Sequence, residues 1–414
     1  MSDWPNAALA DAEPLVFWLD DKAAPEPEQP LAGPQSADLA VVGGGYTGLW
    51  TALRAKDRHP DLDAIDATIA RLDIDCGWER TGELTVATAP HHLAELAEEV
   101  EQRQAYGHEV ALLDAAAARA ELNSPTYLGA LFNPRGTALV EPARLAWGLR
   151  QACLVAGVRI HEHTRVTAVR RDGAARSLLA ATGSVRAERI ALATNAFPSL
   201  LKRLRLYTVP VYDLVLVTEP LSPGQLDTIG WRHRQGVGDA SNLFHYYRLT
   251  RDNRILWGGY TPLYYFGSRI YPELEQRDAI HRLLARHFFE TFPQLDGLRF
   301  THRWGGVIDT STRFCAFFGT ASEGRIGYVL GYTGLGVAAT RFGAEVMLDL
   351  LYGEETERTR LRMVRERPIP FPPEPLRYAG IQLTRWSMAR ADANSGHRNL
   401  WLRALDRLGL GFDF

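Results

Sequence analysis

The chain has 414 residues, 46% of them hydrophobic and 23% charged, with a formal net charge of -3. That is ordinary globular composition with room for two or three domains. With no dense Lys/Arg block and no apolar run near the ~20 residues that span a bilayer, nucleic acid and membrane are both excluded as partners.

The N-terminus, MSDWPNAALADAEP, is acidic and lacks the charged-then-apolar layout of a secretion signal. Cys76, Cys153 and Cys315 are scattered and odd in number, which points to a reducing cytoplasm rather than a disulfide framework. Ala23 to Pro34 is Pro-rich and reads as the end of an extended lead-in, residues 1–37.

Leu39 to Val42 is a short apolar strand, and Gly43-Gly44-Gly45-Tyr46-Thr47-Gly48 is a GxGxxG that opens a helix from Leu49 to Arg58. In that context Gly43 permits the tight turn, Gly45 lets backbone approach a pyrophosphate, and Gly48 lets helix and strand pack closely. The helix N-terminus offers free N–H groups to the anion. A dinucleotide site then continues into a second strand ending in an acid, about 20 residues after the glycines. This chain runs instead through RHPDLD into a second helical stretch, Ala64 to Leu72.

ERTGELTVAT, Glu79 to Thr88, alternates as a strand. His91 to Glu121 reads as two helical pieces broken at Gly107-His108-Glu109. LGALFNPRGTALVEPARL follows as strand, turn and helix start, with Pro142 in a first turn, and the helix stops at Gly157. VRIHEHTRV and AERIALATNAF are two further strands. Tyr207 to Trp257 is mostly β, and a helical pair lies between Glu273 and Phe292. RIGYVLGYTGLGVAATRFGAEV closes the core as strand, second glycine turn and helix. From Glu354 a Pro-rich piece leads to an Arg-rich helical tail, read as a docking helix or subunit contact.

The hairpin NLFHYYRLTRDNRILWGGY turns at Arg251-Asp252-Asn253. Alternation puts His245, Tyr247 and Leu249 on one face and Phe244, Tyr246 and Arg248 on the other. Gly258-Gly259 clears room for another backbone or a ring. Tyr247 and Trp304 are the preferred pocket residues, with His245 and Tyr332 behind them. The pair His91-His92 and the run His161 to His163 have no Cys or carboxylate at matching spacing and are read as structural, so no metal is assigned.

Taken together, DLAVVGGGYTGLWTAL, ERTGELTVAT, HTRV, ALATNAF, HYYRLTRDNRILWGGY, HRWGG and GYTGLGVAATRFGAEV resemble the landmarks of the FAD-dependent D-amino-acid oxidase and glycine oxidase family. The flavour is that of the bacterial group containing gamma-glutamylputrescine oxidase. The resemblance runs from about Trp18 to Tyr352 and implies an α/β fold. An FAD-binding Rossmann-like domain of glutathione-reductase type (38–75, 136–205 and 318–352) is interrupted by an α+β substrate domain with a mixed or antiparallel sheet (76–135 and 206–317), before a tail at 353–414.

It further implies that Gly43, Gly45 and Gly48, with Tyr46 and Thr47 between them, hold the pyrophosphate. Val166 meets the adenine side, and Ala193 and Thr194 line the cofactor. Gly331, Thr333, Gly334, Leu335 and Gly336 face the flavin ring. The implied chemistry is hydride transfer from a neutral amine or amino acid to FAD, with O2 as acceptor and no obligatory protein base. Cys315 falls several residues too late for the covalent flavin bond some relatives make, so FAD is expected to be non-covalent.

The family also carries a ribose-binding Glu at the end of its second strand and a Gly/Ser/Arg/Asn-rich segment beneath the flavin, and neither is recognisable here. Asp61 and Asp63 are the nearby stand-ins, ending a stunted strand after Pro60. Damaged cofactor binding and loss of an internal piece are the alternatives. Oxidase, dehydrogenase with another electron acceptor, and non-catalytic relative therefore all stand at this point.

Overall fold

The computed structural model describes residues 4–56 and 65–410, so Asp61 and Asp63 lie outside the described residues. Two sheets organise the chain. The first is built on Gly183–Leu192, which runs parallel to Gly33–Val42 on one side and to Ile326–Leu330 on the other. Parallel strands buried on both faces read as continuous apolar runs, and Ile190, Ala191 and Leu192 fit, being at most 1% exposed. The hairpin Val166–Asp172 and Ala175–Ala180 pairs with the first half of the central strand. Phe317–Ala321 extends the sheet beyond Ile326–Leu330.

Helices Tyr46–Lys56 and Pro142–Val155 meet over Leu49, Trp50, Leu53, Leu145, Leu149 and Cys153, joined by Ala344 from helix Gly336–Tyr352. A fully buried leucine such as Leu149 contributes roughly 1.5–3 kcal/mol.

The strand read as Leu39 to Val42 begins six residues earlier, at Gly33, inside the stretch read as an extended lead-in. The polar residues Pro34 to Asp38 hide it from a hydrophobicity reading, but their backbone pairs with Gly183 to Ala187. The outer edge of Gly33–Val42 pairs with no strand among the described residues, and the strand is half-buried at best. In the expected fold a second strand would lie there.

VRIHEHTRV is not a strand before Val166. Its side chains bind the lead-in instead: Glu162 accepts from Glu28 N, Thr164 Oγ1 from Leu31 N, and Arg159 donates to Gln35. His163 turns the chain with φ +50°.

The second sheet has eight strands in the order Phe300–Ser311, Thr208–Thr218, Ile255–Gly259, His245–Leu249, Gly236–Asp239, Glu83–Ala87, Gly129–Asn133, Ala111–Asp114. All neighbours are antiparallel except Gly236–Asp239 and Glu83–Ala87. Ala111–Asp114 is a strand inside the stretch read as two helical pieces. Its Ala/Leu composition carries no strand signal, and Asp114 caps the helix that follows by accepting from Ala117 N. The first member of the expected helical pair is only a 3-10 turn, Pro272–Glu275.

One face of this sheet is covered by helix Asp278–Thr291, whose Leu284, Ala285 and Phe288 pack with Leu214, Leu216, Tyr247 and Trp257. The opposite face carries Val215, Val217, Leu256 and Trp304, and Val16, Phe17 and Trp18 from the N-terminal segment lie over it. The tail helices Leu376–Ala393 and Leu400–Arg407 dock on Leu243 through Met388, Ala391 and Leu402. Asp392 accepts there from Asn242 N and Leu243 N. No helix among the described residues is long and apolar enough to cross a membrane.

Candidate active site

The first glycine turn sits where Gly33–Val42 ends. Gly43 has φ +116°, and a Cβ there would overlap the Ala193 carbonyl oxygen; a Cβ at Gly48 would overlap Gly43 O. Both positions therefore need glycine for close packing. A Cβ at Gly44 or Gly45 would meet nothing within 4 Å, and both residues are exposed at the start of helix Tyr46–Lys56. That is an open cradle of backbone N–H groups, the form an anion site takes.

Tyr46 turns away and donates from Oη to Pro142 O at 2.6 Å, so only its backbone remains for a ligand. Thr47 is buried and donates to Tyr332 Oη at 3.3 Å. Beside the turn, Ala193 N donates to Val42 O at 2.9 Å, and Thr194 Oγ1 is buried with no hydrogen-bond partner. An orphaned hydroxyl next to an open glycine cradle fits a polar ligand. These residues fit the pyrophosphate end of FAD. Val166 opens its strand half-buried, packed against the cluster that includes Leu178 and Ala187.

The second turn follows Ile326–Leu330. Gly331, Thr333 and Gly334 all have positive φ, +79°, +52° and +87°. A β-branched residue there is strained, and strain of this kind persists only where surroundings over-determine it. Here Thr333 N donates to Asp309 O at 3.2 Å, Thr333 Oγ1 donates to Gly331 O at 3.0 Å, and Asp309 Oδ2 accepts from Gly331 N. Asp309 is 2% exposed, and burial pushes its carboxyl up to about 7. Leu335 is exposed, and Gly336 starts the helix. Asp309 escaped sequence reading because nothing local marks it.

The third component is the sheet face under the N-terminal segment. Register places Trp304 beside Val215, Val215 beside Gly258, and Gly258 beside Tyr246, all with side chains on that face. The Tyr246 ring lies across Gly258, where a Cβ would come within 2.6 Å of it, and its Oη donates to Asp213 Oδ2 at 2.6 Å. Asp213 also accepts from Leu214 N at 3.0 Å and pairs across the sheet with the exposed Gly306. Burial pushes the Asp213 carboxyl up to about 6. Arg248 lies on the same face, donating to Val140 O at 2.6 Å and Leu249 O at 3.2 Å with its guanidinium over Trp18. Ile308, two residues beyond Gly306 on this face, approaches Gly334, so the face and the second glycine turn adjoin.

Tyr247, His245 and Tyr332 do not share the sheet face that carries Trp304. Tyr247 does not stand beside Trp304. It pairs with Trp257, which pairs with Leu216, on the face covered by helix Asp278–Thr291. It is 3% exposed, and its hydroxyl is bonded to Tyr127 Oη. His245 is on that same face, stacked on Trp257 and Tyr260, with Nε2 2.9 Å from His287 Nδ1. Burial lowers both histidines to about 4. Tyr332 points back between helices Tyr46–Lys56 and Gly336–Tyr352, where a Cβ on Gly343 would overlap its Oη.

His91 and His92 begin helix Pro90–Ala105, and a carboxylate does stand at matching spacing. Glu95 lies one turn on, and the three residues' ligand atoms are within 4.8 Å of one another. His92 Nδ1 is used by Thr88 N and Ala89 N.

The family model described as FAD dependent oxidoreductase (DAO) matches residues 60–350. The chain belongs to that family, whose cofactor is FAD. Gamma-glutamylputrescine oxidoreductase of Escherichia coli (strain K12) is 30% identical over 377 residues, covering 77% of this chain and 84% of that one. In fold, the chain is similar to glycine oxidase from Geobacillus kaustophilus, with TM-score 0.66, 20% identity and coverage of 80% of this chain and 99% of that one. L-proline dehydrogenase from P. horikoshii gives TM-score 0.65, 16% identity and coverage of 78% and 95%.

Proposed function

We propose that this chain oxidises the C–N bond of a small amine or amino acid, with O2 as electron acceptor. When bound, FAD supplies the hydride acceptor. Gly43, Gly45 and Gly48 would hold its pyrophosphate with the N-terminus of helix Tyr46–Lys56, Thr194 would take a polar group beside them, and Val166 would border the adenine. The turn from Gly331 to Gly336, braced by Asp309, would face the flavin ring without a covalent bond. Trp304 and Tyr246 hold the substrate on the adjoining sheet face. The amine binds neutral, so positioning and exclusion of water are the protein's main tasks. The three cysteines are free and separate, which supports a cytoplasmic location.

The observation that carries this reading is convergence. The open cradle at Gly44 and Gly45, the orphaned Thr194 hydroxyl and the strained turn at Thr333 all lie at the C-terminal ends of parallel strands, where ligands bind in sheets of this kind. The outer edge of Gly33–Val42, which pairs with no strand among the described residues, supports a second reading, a relative that holds FAD weakly. Reconstituting the purified chain with FAD, adding amines without oxygen and following loss of visible flavin absorbance separates the two. Readmitting O2 and assaying peroxide then distinguishes oxidase from dehydrogenase. Failure of every amine and amino acid to reduce bound flavin would overturn the enzymatic reading.

A further inference from the structure

Resting on the amine-oxidising reading, we propose that Asp213 restricts the substrate to amines carrying a second, non-reacting ammonium group, a diamine class, and rejects substrates ending in a carboxylate. The starting point is a charge without a counter-charge. Asp213 is half-buried on the sheet face that carries Trp304, and among the described residues it makes no ion pair. Its protein donors are the Tyr246 hydroxyl and the Leu214 and Gly259 amides. A carboxylate has about four acceptor sites, so these bonds leave capacity for a further donor.

The space for that donor is also present. Gly306 lies directly across from Asp213, is exposed, and a Cβ there would meet nothing within 4 Å. Trp304 stands two residues before it on the same face, an aromatic wall of the kind that favours alkylammonium groups.

The Arg248 guanidinium on this face is already engaged within the protein. Arg248 Nη1 and Nε donate to backbone carbonyls at Val140 and Leu249. A carboxylate-terminated substrate would thus bring its charge toward Asp213 without compensation. A diamine brings a cation to an acceptor already aligned by Tyr246. The burial that raises the Asp213 carboxyl toward about 6 also strengthens its attraction for a bound cation.

The test uses three chains of equal length on the purified full protein: 1,5-diaminopentane, pentylamine and 5-aminopentanoate, titrated calorimetrically at pH 8. We expect the diamine to bind at least about tenfold more tightly than pentylamine, one charge-assisted hydrogen bond's worth, and 5-aminopentanoate to bind weakest. Asp213→Asn should erase the diamine's advantage over pentylamine. Gly306→Lys, which adds a cation in open space facing Asp213, should abolish diamine binding without touching the carboxylate's own contacts. Circular dichroism and melting temperature check that both variants fold.

Equal affinities for the three ligands, no measurable binding of any of them, or a diamine preference that survives both substitutions would each overturn the proposal. The parent reading fails separately. Asp213-dependent diamine binding to a chain whose flavin no amine reduces supports the recognition site and removes the catalysis. Flavin reduction by all three ligands, indifferent to Asp213→Asn, does the reverse.

Discussion

Asp309 Oδ2 accepts a hydrogen bond from Gly331 N, so the edge strand Phe300–Ser311 of the eight-stranded sheet holds the glycine turn that follows Ile326–Leu330. Thr333 N on the Asp309 carbonyl adds a second tie at 3.2 Å. The contact joins the two sheets.

Burial raises the Asp309 carboxyl from its ordinary 3.8 to about 7. A raised acid stabilises the fold below its unfolded value and loses that contribution as pH rises through the folded one. Between about pH 4 and 7 the native chain should therefore lose stability relative to Asp309→Asn, which keeps an acceptor for Gly331 N. At ~1.4 kcal/mol per pH unit the difference is roughly 2–4 kcal/mol. Denaturant melts of both proteins across that range measure it, and parallel curves would rule the linkage out.

Gly43 and Gly45 should separate fold from cofactor. Gly45→Val enters open space and is expected to leave the melting temperature nearly unchanged while blocking the pyrophosphate and removing FAD. Gly43→Ala forces a side chain at φ +116° against the Ala193 carbonyl and should destabilise the fold by more than about 2 kcal/mol. If the Gly45→Val protein retained as much flavin as the parent, the pyrophosphate would have to lie elsewhere.

Tyr247 and Trp304 stand on opposite faces of one sheet and should respond differently. Tyr247→Phe leaves the fully buried Tyr127 hydroxyl without its partner, at a cost of about 1–3 kcal/mol, and should spare amine binding. Trp304→Ala should weaken amine-dependent flavin reduction more than FAD binding. A reversed pattern, with Tyr247→Phe impairing substrate and Trp304→Ala only stability, contradicts the assignment of faces.

The edge of Gly33–Val42 that pairs with no strand among the described residues bears on cofactor retention. A ribose-binding acid contributes one or two charged hydrogen bonds of roughly 1.5–3 kcal/mol each, which is tenfold to a few hundredfold in affinity. The chain as written should be isolated with little FAD and poor solubility. Inserting a strand ending in Glu, with its following segment, between Asp63 and Ala64 should restore flavin. Stoichiometric FAD surviving extensive dialysis of the unmodified chain would defeat this expectation and direct attention to Asp61 and Asp63.

Local chemistry made part of this molecule legible from its residues alone. Glycines at 43, 45 and 48 between an apolar strand and a helix mark a turn whose close packing no other residue type satisfies at Gly43 and Gly48. Arg251 to Asn253 mark a hairpin, and strict alternation sorts His245, Tyr247 and Leu249 from Tyr246 and Arg248. These signals act over a few residues, so they survive without tertiary context. Alternation has period two but no sign: it separates two faces and does not say which one meets the ligand.

Tertiary packing gives the two faces different covers: helix Asp278–Thr291 buries the Tyr247 face, and Val16 to Trp18 lie over the other. The pairs Tyr246–Asp213 and Asp309–Gly331 span 33 and 22 residues and exist only once neighbouring strands are in register. No local pattern marks Asp213 or Asp309, because a carboxylate's role here comes from burial and from donors supplied by distant backbone. The polar start of Gly33–Val42 was hidden for the same reason: its pairing partner, not its own side chains, makes it a strand.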